Sequence, residues 1–311
     1  MIRPLRSICF FATLAIAAAL LVVVENAQAQ ELRYQFEQGE KLLYSLTQNV
    51  DVLIKAEGVP EQRMKIDQTT EMSWTVEDVQ EDGTARIVQT IDRIQMDLTA
   101  PPNVDFQYDS ESEEEPTGAL ANMIKPTLEA IVGAKFTVTM NSRGQIKEIQ
   151  VPQEVVEAAQ KAPNAAQMGE MFTKEGFEKM VRQSLLTFPE GEIKPGREWT
   201  ETMEVPVPGM GGQQTMTTKY EYLGQEDVDG RTLDAFSVSQ SMEFGDGAGP
   251  AGGKISVKDQ ESRGKLYFDR AAGHVSSSNM DSNMTMEITV LGTKMTQQLK
   301  QNVQVDVKQA E

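Results

Sequence analysis

Cysteine is almost missing from this 311-residue chain: the single one, Cys9, sits inside an apolar N-terminal run. Disulfides, thiolate metal sites, Fe–S clusters and a cysteine nucleophile are therefore excluded, and stability is left to the packed core. Histidine is equally scarce. His274 is the only one; it follows Gly273 in a turn and reads as a solvated residue at a strand start, because a catalytic imidazole needs a partner that the sequence does not supply. Aromatics make up 6% of the chain, and the two tryptophans, Trp74 and Trp199, both fall at inward-facing strand positions. Little is left over for a sugar-stacking platform. Basic residues are outnumbered 29 to 47, for a net charge of −18, which disfavours nucleic acid and anionic lipid headgroups as partners. The nucleophile-elbow, zincin and P-loop motifs are absent, and acidic residues are too abundant for any carboxylate pair to be informative.

What is present begins with an export signature. Arg3 and Arg6 precede an apolar run from Ile8 to Val24, and Ala27-Gln-Ala29 has the small-x-small pattern of a signal-peptidase site. The expectation is a signal peptide over residues 1–29 and a soluble, periplasmic or secreted mature protein starting at Gln30. A retained anchor is the weaker alternative, since the run is nearly long enough to span. Removing two arginines and one glutamate with the signal leaves the mature chain at about −19.

Most of the remaining chain has strand periodicity. Met64, Ile66, Met72, Trp74 and Val76 share one parity, with charged residues on the other, as a half-buried antiparallel strand requires. Asp82-Gly83 turns the chain back into a strand whose apolar parity changes between Ile87/Ile91 and Ile94/Met96/Leu98, predicting a bulge near Asp92-Arg93. Pro101-Pro102 stops it, the acidic run from Asp109 to Glu115 reads as an exposed loop, and Ala119 to Ile131 reads as a helix interrupted by Pro126. Phe136 to Met140 and Ile146 onward form a hairpin closed by Gly144.

Sustained helical texture occurs only from Val151 to Phe188. Val155, Val156 and Ala159 give a short helix ending before Pro163, and a second amphipathic stretch runs through Met168, Phe172, Phe177 and Val181. Beyond it the order of turns and aromatic strands recurs, with Gly196/Trp199 answering Gly39/Tyr44, and Asp229-Gly230 answering Asp82-Gly83. The predicted organisation is a first β half over 30–151, a helical hinge over 152–187 and a second β half over 188–311. The fold class is mainly β (α+β): long curved antiparallel sheets from two related halves, with the helical segment packed on a sheet face.

Four short elements carry a resemblance: Phe36-Glu-Gln-Gly39; Phe136-Thr-Val-Thr-Met140 with Gly144; Phe188-Pro189 leading to Gly196-Arg-Glu-Trp199; and Leu266-Tyr-Phe-Asp269 with Gly273. With them the chain, from Leu32 to Val307, resembles a family of exported bacterial proteins known only as a domain of unknown function, which implies no catalytic residues. More loosely it is similar in fold to the periplasmic lipoprotein carriers, whose curved half-barrel sheet holds an acyl chain under helices.

The unusual component is methionine. Met280, Met284, Met286, Ile288 and Val290 share one parity; thioethers on one face suit Cu(I), but Met in place of Leu or Ile on inner strand faces is the simpler account. The candidate ligand wall is Met64, Ile66, Met72, Trp74, Met284, Met286 and Ile288, roofed by Met168, Phe172, Phe177 and Val181. The functional expectation is a non-catalytic exported protein that binds an apolar small molecule or lipid on a concave sheet face, with no metal, cofactor or nucleic acid. An envelope-structural or protein-interaction module is the alternative, and an unmotifed carboxylate hydrolase the least favoured.

Overall fold

The computed structural model describes residues 31–114, 116–161, 176, 181–182, 185–206, 213–245, 253–290 and 292–310. The expected signal peptide and the predicted roof residues Met168, Phe172 and Phe177 lie outside them. The alternating segments form β1 (Lys41–Ala56), β2 (Val59–Val79), β3 (Ala85–Ala100), β4 (Val104–Asp109), β5 (Lys135–Met140) and β6 (Ile146–Gln150), followed by β7 (Glu198–Pro206), β8 (Gln213–Val228), β9 (Arg231–Phe244), β10 (Lys254–Asp269), β11 (His274–Val290) and β12 (Thr293–Gln309). The helices are α1 (Ala119–Ile131) and α2 (Gln153–Lys161). The architecture is mainly β, as the periodicity predicts.

All twelve strands belong to one antiparallel sheet, in the order β6-β5-β3-β2-β1-β12-β11-β10-β9-β8-β7, with β4 hanging from β3. Each side is built mainly of hairpins, the first interrupted where β5 returns to β3 past β4 and α1, and the first and last strands meet at the centre, where Tyr44 lies opposite Val307 and Val52 opposite Leu299. The two sides begin alike. Gly39 donates to the Val76 carbonyl (2.8 Å) and Val76 back to Glu40 (2.9 Å), while Gly196 donates to Tyr222 (2.8 Å) and Tyr222 back to Arg197 (3.0 Å).

Register confirms the parity shift in β3. Glu71 pairs with Arg93 but Met72 with Ile91, so Asp92 is the extra residue, and Ile87, Ile91, Ile94, Met96 and Leu98 all reach one face. On that face Ile94, Phe106 and Tyr108 pack against Ala121 and Leu128 of α1, and Phe136 with Ala134 buries Val155 of α2. Both helices therefore cover the inner face of the first half. Two segments differ from what their local sequence suggests. Tyr34 to Phe36 is not a strand, because its backbone bonds to turns instead, Tyr34 N to Ser142 O (2.7 Å) and Gln35 N to Gly273 O (3.0 Å). Val104–Asp109 is one, paired with Gln95–Ala100; the diprolyl stop and following acidic run hid its short alternation of Phe106 and Tyr108.

The sheet curls on itself at one end. Leu42, Trp74, Ile87 and Ile146 of the first half share one buried cluster with Tyr220, Phe236 and Phe268 of the second, around Leu185, Leu186, Phe188 and Ile193. Those four residues belong to an irregular strap that fills this end with Tyr34, whose hydroxyl donates to the Leu186 carbonyl (3.0 Å). Gly144, at φ 86°, makes room for the strap: a Cβ there would lie 2.3 Å from Leu186 O and 2.7 Å from the Tyr34 ring. Gly144→Ala is expected to lower unfolding free energy by about 1–3 kcal/mol, through left-handed strain and displacement of the strap. Urea denaturation checks it; an unchanged midpoint would contradict this account of the closed end.

Candidate functional site: the concave face

The inner face is laid out in rows that run across the sheet. One row is Thr70, Leu46, Val305, Ser278 and Leu266; the next is Gln68, Gln48, Val303, Met280 and Gly264, continuing through Val238 and Tyr220 to Trp199. Further from the strap come Ile66, Val50, Gln301, Ser282 and Ser262, then Met64, Val52, Leu299, Met284 and Gln260. At the strapped end such residues are sealed in the core. In the middle of the sheet Leu46, Met280, Val303, Val305 and Leu266 point inward yet are only half-buried, so apolar surface is left there for something to cover.

A cavity of about 210 Å³ lies where that surface meets the strap, under Leu185 and Leu186 and walled by Leu46, Val238, Met280 and Val303. A more open cleft of about 480 Å³ lies between the start of β6 (Ile146, Lys147) and strands β7 and β8 (Glu201, Met203, Met216). Tyr220 lines both. Trp199 stacks on Tyr220 with ring centroids 5.3 Å apart and donates to Thr187 O (2.9 Å), which ties the strap to the cavity wall.

The seven predicted wall residues share this inner face but form three groups. Trp74 is packed in the closed end against Tyr44, centroids 4.7 Å apart, with Met72 next to it. Met64, Ile66 and Met284 are half-buried in the rows beyond the cavity, whereas Met286 and Ile288 are buried against Ile255. Val181 packs on the main core. The cavity itself is walled by residues that the sequence reading passed over, chiefly Leu46, Val303 and Val305. Their signal was the alternation in β12, diluted by the glutamines interspersed with them.

Charge is distributed with little exception to the outside. Lys65, Asp67, Glu71, Asp281 and Lys300 are exposed on the convex side, the reverse of a transmembrane barrel, whose outer band is apolar. Among the described residues, the rows of the concave face contain no lysine or arginine and two carboxylates. Asp234 is fully buried, accepting from the Tyr222 hydroxyl (2.6 Å) and from Arg270 Nε (2.9 Å); burial, and then this bond, push the Tyr222 phenol well above its ordinary range. Glu201 is half-buried in the cleft, and burial raises its carboxyl against a hydrogen bond involving Thr187 that lowers it. Trp74 Nε1 and Gln89 Oε1, on directly paired residues, are buried without a hydrogen-bond partner among the described residues.

Other candidates lose their chemistry in the fold. An S-x-x-K spacing that the motif reading missed, Ser262-Arg-Gly-Lys265, is that of a serine nucleophile with its lysine, but on a strand an odd spacing sends the two to opposite faces. Ser262 pairs with Ser282 (2.6 Å) and Lys265 with Glu226 (2.9 Å). His274 is buried rather than solvated, with Nδ1 2.8 Å from Val275 O, because the strand starts inside the packed end. Asp109 of the acidic run is held by Arg93 Nε (3.0 Å) and Gln95 (3.1 Å).

Residues 82–229 match a family described as "Family of unknown function (DUF6263)". This agrees with the resemblance to a family of unknown function, over a shorter stretch than Leu32 to Val307. No curated protein matches in sequence. Among solved structures the chain is similar to one titled "Lipid-protein interactions in lipovitellin", at 14% identity and a TM-score of 0.44, over 89% of this chain and 26% of that one. The chain thus spans about a quarter of that protein's length. It is also similar to DynF of the dynemicin biosynthesis pathway of Micromonospora chersina (9% identity, TM-score 0.19, 89% and 85% covered) and to an outer membrane channel from Pseudomonas putida F1 (6%, 0.22, 88% and 97%). These likenesses are too distant to add to the geometry.

Proposed function

We propose that the protein is an exported, non-catalytic binder of an apolar, acyl-chain-like ligand, which lies on the concave face with one end under the strap. The observation that carries this is the inward-facing yet half-buried apolar set Leu46, Met280, Val303, Val305 and Leu266, beside a cavity of about 210 Å³. Burying such surface is worth roughly 25 cal/mol per Å², and the two ends differ in packing as a fixed wall and an adaptable one would. The periplasmic or secreted location rests on the N-terminal sequence. An envelope-structural or protein-interaction role is the second reading, favoured by the two edge strands, β6 and β7, whose outer sides have no strand partner among the described residues.

The test is native mass spectrometry and solvent extraction of protein purified from its own host. Co-purified acyl-bearing material is expected, together with a change in Trp199 fluorescence when lipid is removed or restored. Protein that emerges clean and does not respond to added fatty acid, monoacylglycerol or phospholipid would leave the partner-binding role as the better account. A variant series refines the placement. Met284→Ala, at a half-buried position, is expected to weaken ligand binding and to change stability by less than the roughly 2–5 kcal/mol of a filled core site. A large fall in melting temperature of the ligand-free variant would make Met284 part of the core.

A further inference from the structure

We infer that the concave face selects uncharged amphiphiles: an acyl chain whose head carries hydroxyl or amide groups is accepted, and an anionic head is rejected. This rests on the apolar-ligand reading and narrows it.

The argument starts from what the inner rows contain. Beyond the strapped end every polar residue in the central rows is neutral: Thr70, Gln68, Gln48, Gln301, Ser282 and Ser262 form a tier across β2, β1, β12, β11 and β10. Thr218 and Gln240 extend it on β8 and β9. These groups are only partly committed to each other, through Gln68 Nε2 to Thr70 Oγ1 (3.0 Å), Ser262 to Ser282 (2.6 Å) and Gln240 Nε2 to Thr218 Oγ1 (3.3 Å). A glutamine amide offers two donors and two acceptor sites, so capacity remains on Gln48, Gln68 and Gln301.

A head group that donates and accepts can exchange water for this tier at little net loss. A carboxylate or phosphate cannot, because an ion removed from water needs a countercharge, and none of these rows supplies one. The Arg270 guanidinium is already bonded to Asp234. Lys265 borders the 210 Å³ cavity, but its ammonium is bonded to Glu226 (2.9 Å). Arg182 and Lys147 line the cleft between the sheet edges, which meets the tier only at Thr218 on its β8 end and not in the central rows, and Arg182 donates to Ile146 O (3.1 Å). Glu201, the remaining inner carboxylate, repels an anion, and so does the net charge of −18.

The experiment uses the delipidated full chain and three probes sharing one oleoyl chain: 1-oleoylglycerol, oleate and oleoylcholine, read by native mass spectrometry and Trp199 fluorescence at neutral pH. The monoacylglycerol is expected to bind at least about tenfold tighter than oleate. The double variant Gln48→Leu/Gln68→Leu should weaken binding of the monoacylglycerol, and so narrow that preference, while keeping its melting temperature. Oleate binding as tightly as the glyceride would overturn the inference while leaving the apolar-ligand reading intact, and so would oleoylcholine binding tightest, which would make Glu201 the selecting group. Failure of all three probes to bind would overturn the reading on which it rests.

Discussion

Phe188→Ala is expected to lower the unfolding free energy by about 3–5 kcal/mol. Phe188 is completely buried, and its ring meets Tyr34, Phe236 and Phe268 at centroid distances of 5.6, 6.1 and 5.0 Å. Its backbone is fixed as firmly, with N donating to Arg143 O (2.8 Å) and O accepting from Arg143 Nε (2.9 Å). The ring is therefore a wedge between N-terminal segment, strap and second half, and the surrounding chain is tethered too well to collapse into the space it leaves. Urea unfolding with tryptophan fluorescence would measure the loss. Trp199, bonded to the same strap, should report a local change even where the global transition remains two-state. A loss under about 1 kcal/mol would mean that the closed end is far looser than its ring contacts imply.

Asp234→Ala is expected to be comparably damaging, at about 3–5 kcal/mol, for an electrostatic reason. The carboxylate is inaccessible to solvent and neutralises Arg270, whose side chain is 28% exposed. Its removal leaves the guanidinium and the Tyr222 hydroxyl without their acceptor. The pair as a whole is worth much less than either half. Asp234→Leu/Arg270→Met, which removes both charges and keeps volume, should therefore cost clearly less than the single change. Chemical denaturation of the two variants decides it. A single variant no worse than the double would show that water reaches the site and that Arg270 solvates itself.

The strand pattern was legible because charge and apolar character alternate cleanly: the Met64 to Val76 parity and the displaced residue at Asp92 were both readable, and so were the limits of α1. What escaped depends on contacts far apart in sequence. Nothing local tells Tyr34 to leave a strand and cap two turns, nor tells Leu185 and Phe188 that they seal an end rather than finish a helix. The candidate site shows the same division. Parity placed Met64, Met72 and Met284 on one face, but depth along the strand decides which inward residues are sealed and which are left half-open. That depth is set by where the strap sits. Leu46 and Val305 look no different in sequence from Leu42 and Val307, yet only the latter two are fully buried.

The meeting of the first and last strands at the middle of the sheet bears on how the molecule assembles. Ala310 N donates to Lys41 O (2.9 Å), and fifteen successive residue pairs join β1 to β12, all between segments separated by most of the polypeptide. Every other ladder joins consecutive strands except β3–β5, which spans only β4 and α1, so each half can assemble from nearby segments while the central ladder waits for the last residues. Loop-closure entropy grows only slowly with length, but it is met before any contact in that ladder compensates it. Assembly should therefore stall with two separate meanders, each exposing an unpaired long strand, until the ends find one another. Joining residues 31 and 310 through a short linker and opening the chain elsewhere would turn the slowest ladder into a local one. The permuted chain should refold faster, by an amount that measures how much of the barrier this seam contributes.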